Sequence, residues 1–296
     1  MKFYIVDAFT KEVFGGNPAG VVIIPDGGAF PSDEICVKTA AELRYSETAF
    51  VKRMGDKEFN VRYFTPAAEV DLCGHATIGV FSALRQRDII EDGDFLLHTR
   101  SGDLNISVSS SGILMDMAKP VKLGDLDGER ELEELYGVMG LDWKTQLAGG
   151  LTLLPQIIST GLPDIMMPVN TVEDLEAIAP DFPALSALSE RYEVVGVHAF
   201  TADCKDATFH TRNFAPLYDI DEEAATGTSS GALTYYGYLN GLVETGESCT
   251  MIQGEKMGRP SLIISNINIK TVDAPETIEI RVGGSGVILA EGEINL

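Results

Sequence analysis

The stretch Asp71-Leu72-Cys73-Gly74-His75 sets a thiol, a glycine and an imidazole at the mouth of a run, Gly74–Leu84, that has no formal charge when His75 is neutral. Such a run reads as a helix buried on all sides. The open N–H groups at its start carry roughly half a positive charge, and a glycine there lets a ligand come close to the backbone. A carboxylate, or an enolate forming beside one, is the species that mouth would hold. A second mouth of the same kind stands at Thr226-Gly227-Thr228, which opens "GTSSGALTYYG". Together they predict an anion hole whose surrounding acid–base groups do the chemistry.

Other chemistries find little support. The four histidines (75, 98, 198, 210) form no HxxxH or HExxH pattern, and Cys36, Cys73, Cys204 and Cys249 have no zinc spacing, so no metal is expected. "GGNPAG" lacks the Lys-Ser/Thr of a phosphate loop. "GTSSG" fits G-x-S-x-G, but the acidic "DIDEEAA" before it does not suit a strand leading into a nucleophile elbow. The scattered cysteines read as reduced thiols, with Cys73 a small buried filler.

These residues need elements to hold them, and the chain repeats the same ones. "RYFTP" at 62–66 recurs as "RNFAP" at 212–216, and "LCGHATIGVFSAL" at 72–84 lines up with "ATGTSSGALTYYG" at 225–237. "VDAFT" at 6–10 also recurs, as "VHAFT" at 197–201. Two halves of one ancestral unit follow, each with a strand, a Pro turn, an acidic segment and a Gly-opened helix. The two helices would aim their N-termini at a shared cleft. "KFYIVDAF" and "VVII" read as strands around the turn "GGNPAG". Ser32 caps a helix running to Leu43, with Asp33 and Glu34 in its first turn. "ETAFVKR", "FNVRYF" and the three pieces of "DFLLHTRSGDLNISVSSSGILMDM" are further strands. In the second half, Thr171–Ile178 and Pro183–Leu188 read as helices. "YEVVGVHAF", "DATFHTRNF", "SLIISNINIKTV", "TIEIRVGG" and "SGVILAEGEI" read as strands. The fold class is α+β, with mostly antiparallel sheet wrapped around one buried helix per half. The Pro- and Gly-rich "KPVKLGDLDG" at 119–128 marks a boundary, giving domains 1–118 and 119–296, with the last strand free to cross back to the first.

Charge narrows the partners. Lys+Arg is 22 against Asp+Glu 45, a net charge of −23 in 296 residues, which repels nucleic acid and anionic membrane surfaces. No run approaches the ~20 apolar residues of a membrane span, and no secretory signal is evident, so a cytoplasmic location is expected.

"GNPAGVV", "SETAFV", "CGHATIG", "ATGTSSGAL" and "QGEKMGRPS" together resemble the phenazine-biosynthesis isomerase family, the PhzF-like group, which is related in fold to diaminopimelate epimerase. The resemblance runs nearly end to end. It implies two similar domains, an active site between them, no cofactor and a homodimer. It places the family's acid/base glutamate on Glu47, its histidine on His75 and its second acidic position on Glu223. Substrate contacts fall on Asn17, Gly74, Gly227 and Thr228. Glu223 replaces the family's usual aspartate and Thr228 its serine, which would reshape the pocket. The implied function is a cofactor-independent isomerase that moves a proton on a small carboxylate. Two alternatives remain: a relative that binds a carboxylate without turning it over, and a thiol-type epimerase or racemase using Cys73. The second lacks half its machinery, because Cys73's repeat partner is Thr226.

Overall fold

The apolar alternation at the start becomes β1 (Lys2–Ala8), antiparallel to β2 (Asn17–Ile23). Strand β2 already begins at Asn17, so only the two glycines that open "GGNPAG" are turn. Gly16 makes that turn at φ +62°, where a Cβ would lie 2.1 Å from the Ala8 carbonyl oxygen. Ser32 caps α1 (Asp33–Leu43) as its position predicts, accepting from the Ile35 amide at 3.4 Å. Then follow β3 (Thr48–Gly55), β4 (Glu58–Phe64), the two-residue β5 (Glu69–Val70) and α2 (Gly74–Gln86). Strands β6 (Gly93–Thr99), β7 (Gly102–Ser109) and β8 (Gly112–Asp116) complete this run.

The computed structural model describes residues 1–270 and 277–296, so the end of the predicted strand "SLIISNINIKTV" lies outside the described residues. The chain divides into two compact units, Met1–Asp116 with Gly283–Leu296, and Met117–Val282. The division after Asp116 precedes "KPVKLGDLDG", which is no linker. It supplies β9 (Val121–Asp125), paired with β10 (Gln156–Ser159). Between these strands lie α3 (Glu129–Val138) and α4 (Trp143–Ala148), neither anticipated from the sequence. The chain continues through β11 (Pro163–Pro168), α5 (Val172–Ala177), α6 (Phe182–Arg191), β12 (Val197–Thr201), β13 (Phe209–Ala215) and β14 (Ile220–Glu223). It closes with α7 (Gly227–Leu239), β15 (Ser248–Gln253), β16 (Ser261–Ile269), β17 (Ile278–Gly284) and β18 (Gly286–Glu293).

In the first unit the ladder runs β18-β1-β2-β3-β4-β6-β7-β8, with β2–β3 and β4–β6 parallel. In the second it runs β9-β10-β11-β12-β13-β15-β16, with β11–β12 and β13–β15 parallel. Parallel neighbours need a crossover connection. Each unit therefore has two: α1 and α2 in the first unit, α5–α6 and α7 in the second. The repeat is thus a repeat of topology. It also corrects one match: "VDAFT" begins at the end of β1 and runs past it, but "VHAFT" is β12, whose counterpart is β3.

The later crossover helix of each unit, α2 or α7, is swallowed by its sheet. Every residue from His75 to Leu84 of α2 is buried, and Gly79 lets Val6, Val21 and Ala19 come within 3.6–3.8 Å of where its Cβ would stand. In front of each helix an arginine fork fixes the acidic segment. Arg62 on β4 takes both oxygens of Glu69 at 2.7 Å, and Arg212 on β13 takes both of Glu222 at 2.8 Å. Such bidentate pairs add geometric specificity to charge, which accounts for the shared "RYF" and "RNF".

Candidate active site

The mouth of α2 collects three of the singled-out side chains. Cys73 is the N-cap, with extended backbone (φ −141°, ψ 115°), and its side chain makes no capping hydrogen bond. Its carbonyl instead takes the Thr77 hydroxyl at 2.8 Å. His75, in that first turn, is 5% exposed. Glu47 enters from the strand side, immediately before β3, anchored where its carbonyl accepts the Gly20 amide at 3.2 Å. Its Oε2 lies 3.3 Å from His75 Nε2, with the Glu47 side chain 18% exposed. That oxygen is buried and has no hydrogen bond, so the contact is a close approach of carboxyl oxygen and ring nitrogen. Ser46 Oγ also lies 3.4 Å from Nε2, and Cys73 Sγ is 3.4 Å from Nδ1 and 3.9 Å from Nε2. Glu47, Cys73 and His75 each offer a ligand atom within 4.8 Å of the others. Sequence spacing hides this convergence, because Glu47 comes from a different element.

Two other predicted positions support the first unit. Gly74 is the first residue of α2, and a Cβ there would meet the flexible end of Met115 at 3.0 Å. Asn17 begins β2, is 6% exposed and pairs with Ala8. The nearby 9–16 loop is tied down by Asp7, whose carboxylate accepts the Phe14 amide at 2.8 Å. A surface hollow of about 360 Å³, lined by Asp33, Asn60, Arg62, Glu69 and Arg100 among others, contains none of the predicted site residues. It is crossed by the Arg62 ion pairs to Asp33 and Glu69, and Arg62 holds the Glu69 carboxyl below its ordinary range.

In the second unit Glu222 is engaged by Arg212, whereas Glu223 faces the mouth of α7, its Oε2 accepting the Thr226 hydroxyl at 3.0 Å. Thr226 is the N-cap and, like Cys73, makes no side-chain cap bond. Gly227 starts the helix, and the Thr228 carbonyl takes the Thr160 hydroxyl at 2.8 Å. A residue absent from the sequence-based site holds this loop together. Fully buried Gln253 donates to the Glu223 carbonyl at 2.7 Å and to Thr226 Oγ1 at 3.0 Å, while its Oε1 accepts the Thr226 amide at 3.2 Å. Its signal was the "QGEKMGRPS" motif. A second is Asp164, 2% exposed, whose Oδ2 accepts the Ser229 hydroxyl at 2.6 Å. Burial pushes this carboxyl up to about 7, an effect the Ser229 bond and the Gly196 backbone offset only partly. Its signal was a lone acid in the apolar run "LPDIMMP". With Ser229 bound to Asp164 inside a helix, the G-x-S-x-G match carries no nucleophile elbow.

Repeated sheets, each enclosing a helix with an uncapped N-terminus, define the diaminopimelate epimerase-like class of α+β proteins. Within it, the chain belongs to the phenazine biosynthesis-like (PhzC–PhzF) family, whose model it matches over residues 6–292. It is 33% identical to a Clostridium acetobutylicum protein named as an uncharacterized isomerase, over 100% of this chain and 98% of that protein. A PhzF-family crystal structure from Bacillus anthracis matches with a TM-score of 0.85 and 26% identity, covering 100% and 99% of the two chains. A probable proline racemase from Agrobacterium radiobacter shares the fold at TM-score 0.61 and 14% identity, over 100% and 93%. The chain is accordingly an isomerase of the PhzF family. Among the described residues, no helix is long and apolar enough to cross a membrane.

Proposed function

We propose that this isomerase moves a proton between carbon positions of a small carboxylate, with Glu47 and His75 as the acid–base pair. The observation that carries this reading is the 3.3 Å approach of Glu47 Oε2 to His75 Nε2 at the uncapped mouth of α2. A carboxylate that is mostly buried yet reachable can take a carbon-bound proton and return it, and an adjacent imidazole can steer the substrate or relay the proton. Gly74 and Asn17 would contact the substrate. In the second unit the reading assigns Glu223 as a carboxylate available to substrate, and Gly227 and Thr228 as an anion-holding turn. No cofactor is required by this scheme, and a homodimer is proposed, checked by sedimentation.

The test is solvent exchange. The protein is incubated in D2O with a panel of small cyclic and amino-acid carboxylates, and deuterium at carbon is read by NMR. Glu47-dependent incorporation supports the reading. The thiol alternative rests on the 3.4 Å approach of Cys73 Sγ to His75 Nδ1, and it predicts the reverse pattern. Exchange abolished in Cys73→Ala and retained in Glu47→Gln would overturn the Glu/His assignment.

A further inference from the structure

A buried histidine of the second unit stands outside the proton-transfer reading. His210 lies on β13, 5% exposed, and each of its ring nitrogens meets a carboxylate. Nδ1 is 2.7 Å from Glu255 Oε2, and Nε2 is 3.0 Å from Asp206 Oδ1. An ionised carboxylate can only accept, so both nitrogens must donate, and the ring is an imidazolium. Desolvation works against that charge, but the bonds from Asp206 and Glu255 outweigh it and hold His210 above its ordinary value of 6.5. Asp206 in turn is held below its ordinary range, chiefly by the bond to His210. The ring's partners across the sheet, Thr201 on β12 and Ile252 on β15, bring no charge. The other charged or titratable groups on the two segments that reach the ring are Asp203, Cys204 and Lys205, beside Asp206, and Lys256, beside Glu255.

What the ring holds is the strap that follows β15. Gln253 ends that strand, and its side chain binds the Glu223 carbonyl and both the amide and the hydroxyl oxygen of Thr226. A Cβ at Gly254 would stand 2.6 Å from the Ala224 carbonyl oxygen, so the strap lies directly on the loop that carries Glu223. Ser261, at the far end, donates to that same carbonyl at 2.7 Å. Between these points Glu255, in the turn Glu255–Met257, ties the strap to β13 through His210.

We propose that the His210 imidazolium is a positioning residue for Glu223: it ties the strap 253–261 to β13, and Gln253 passes that constraint to the Glu223–Thr226 loop. The proposal rests on the assignment of Glu223 to the substrate site above. Neutral His210 has one ring proton for two carboxylates, so the tie to Glu255 loses its charge assistance and competes with Asp206. With the carboxylates ionised, the tie is complete below pH 6.5 and is lost as pH rises through the raised value of His210.

The test reads backbone amides of the full chain by hydrogen exchange below and above the His210 titration, which NMR of the ring locates. The Thr226 amide bonds Gln253 Oε1 at 3.2 Å, and the Met257 amide bonds the Gly254 carbonyl at 3.1 Å. Protection of both should fall about three- to tenfold once the ring is neutral, the effect of one charge-assisted bond to a half-exposed carboxylate. Glu255→Ala should show the low protection on both sides and bring the ring's titration down toward its ordinary value. Glu255→Asp, which keeps the charge, should restore most of the response. With a substrate that takes up deuterium, the wild-type pH profile should step where the ring titrates, and Glu255→Ala should flatten that step. A residue that merely supports the fold would instead lower uptake equally at every pH. Thr226 protection that stays constant while the ring titrates overturns the proposal, as does a ring that titrates identically in wild type and Glu255→Ala. A chain that exchanges no substrate at any pH counts against the proton-transfer reading, while the Thr226 amide still decides whether His210 holds the loop.

Discussion

In the first unit the residue before β3 is Glu47, whose carbonyl accepts the Gly20 amide at 3.2 Å; in the second the residue before β12 is Gly196, whose carbonyl accepts the Ile165 amide at 3.0 Å. The following residues, Thr48 and Val197, pair with Phe64 and Phe214. These are the same ladder position. One carries the carboxylate beside an imidazole; the other cannot carry a side chain at all, because a Cβ at Gly196 would stand 1.8 Å from the Phe214 carbonyl oxygen. The helix mouths differ in the same way. Thr77 and Ser230 both bond back to their N-cap carbonyls at 2.8 Å. Yet the pair Ala19 and Ala76 under α2 is matched by Asp164 and Ser229 under α7. The two units share a scaffold, and their side chains differ at the few positions around each mouth.

The largest effect is expected where the second unit forbids what the first requires. Gly196→Ala puts a methyl group into backbone that cannot yield, so destabilisation should exceed about 4 kcal/mol, the range reserved for named structural faults. Chemical denaturation measures it. A mild loss would mean the two ladders are not equivalent there.

Next comes Glu47→Gln, which keeps shape and removes proton capacity. Deuterium exchange should fall roughly 10²–10⁴-fold, the usual cost of losing a general acid–base group. Denaturation midpoints should stay close to wild type, since the variant changes one atom of a side chain that is 18% exposed and leaves its shape intact. Exchange that survives the substitution would move the chemistry away from α2.

Much of this contrast could be read in the sequence, because "RYF" and "RNF" and the two Gly-opened helices mark equivalent elements. The ladder equivalence of Glu47 and Gly196 could not, since it depends on pairing register rather than on residue similarity. "VDAFT" and "VHAFT" even pointed to the wrong partner strand. β9 was missed because "VKLGD" is exposed along most of its length and has no apolar alternation. α3 was missed because the acids of "ERELEELYGV" draw attention from the stripe Leu132, Leu135 and Tyr136, which is buried in the second unit's core. Cys73, His75 and Glu47 could be named singly, but their convergence needs an extended N-cap that no spacing rule encodes.

The third test uses pH. Asp164 titrates at about 7 when folded and near 3.8 when unfolded. Between those values the folded state holds a proton that the unfolded state releases, so this carboxyl's contribution to stability is fully present below about pH 4 and is lost as pH rises to 7. The ceiling of this loss is about 4 kcal/mol at 1.36 kcal/mol per unit. Buried His198, depressed to about 4 by desolvation, acts the other way and weakens the fold as pH drops below 6.5. The wild-type profile mixes the two, but the difference from Asp164→Asn isolates the carboxyl. That variant should match wild type at pH 4 and become the more stable protein by pH 8. A constant difference across the range would mean Asp164 is charged throughout, and the mouth of α7 would then hold a fixed negative charge.

The smallest effect concerns the N-caps themselves. Thr226 does not cap α7 with its hydroxyl; it donates to Glu223 Oε2 and accepts from Gln253, both at 3.0 Å. Thr226→Val keeps the shape and removes both bonds. Gln253 would still hold the Glu223 carbonyl at 2.7 Å, so the loop should stay in place while the Glu223 carboxylate loses the Thr226 hydrogen bond. Stability should drop by about 1 kcal/mol, the net worth of a typical hydrogen bond, and exchange by less than about tenfold, because the carboxylate still samples the same position without this one bond. Thr226→Ser, which restores the hydroxyl, should recover most of both. If Thr226→Val instead costs as much exchange as Glu47→Gln, proton transfer would depend on Glu223 as heavily as on Glu47. The division into a reactive first mouth and a supporting second one would then fail.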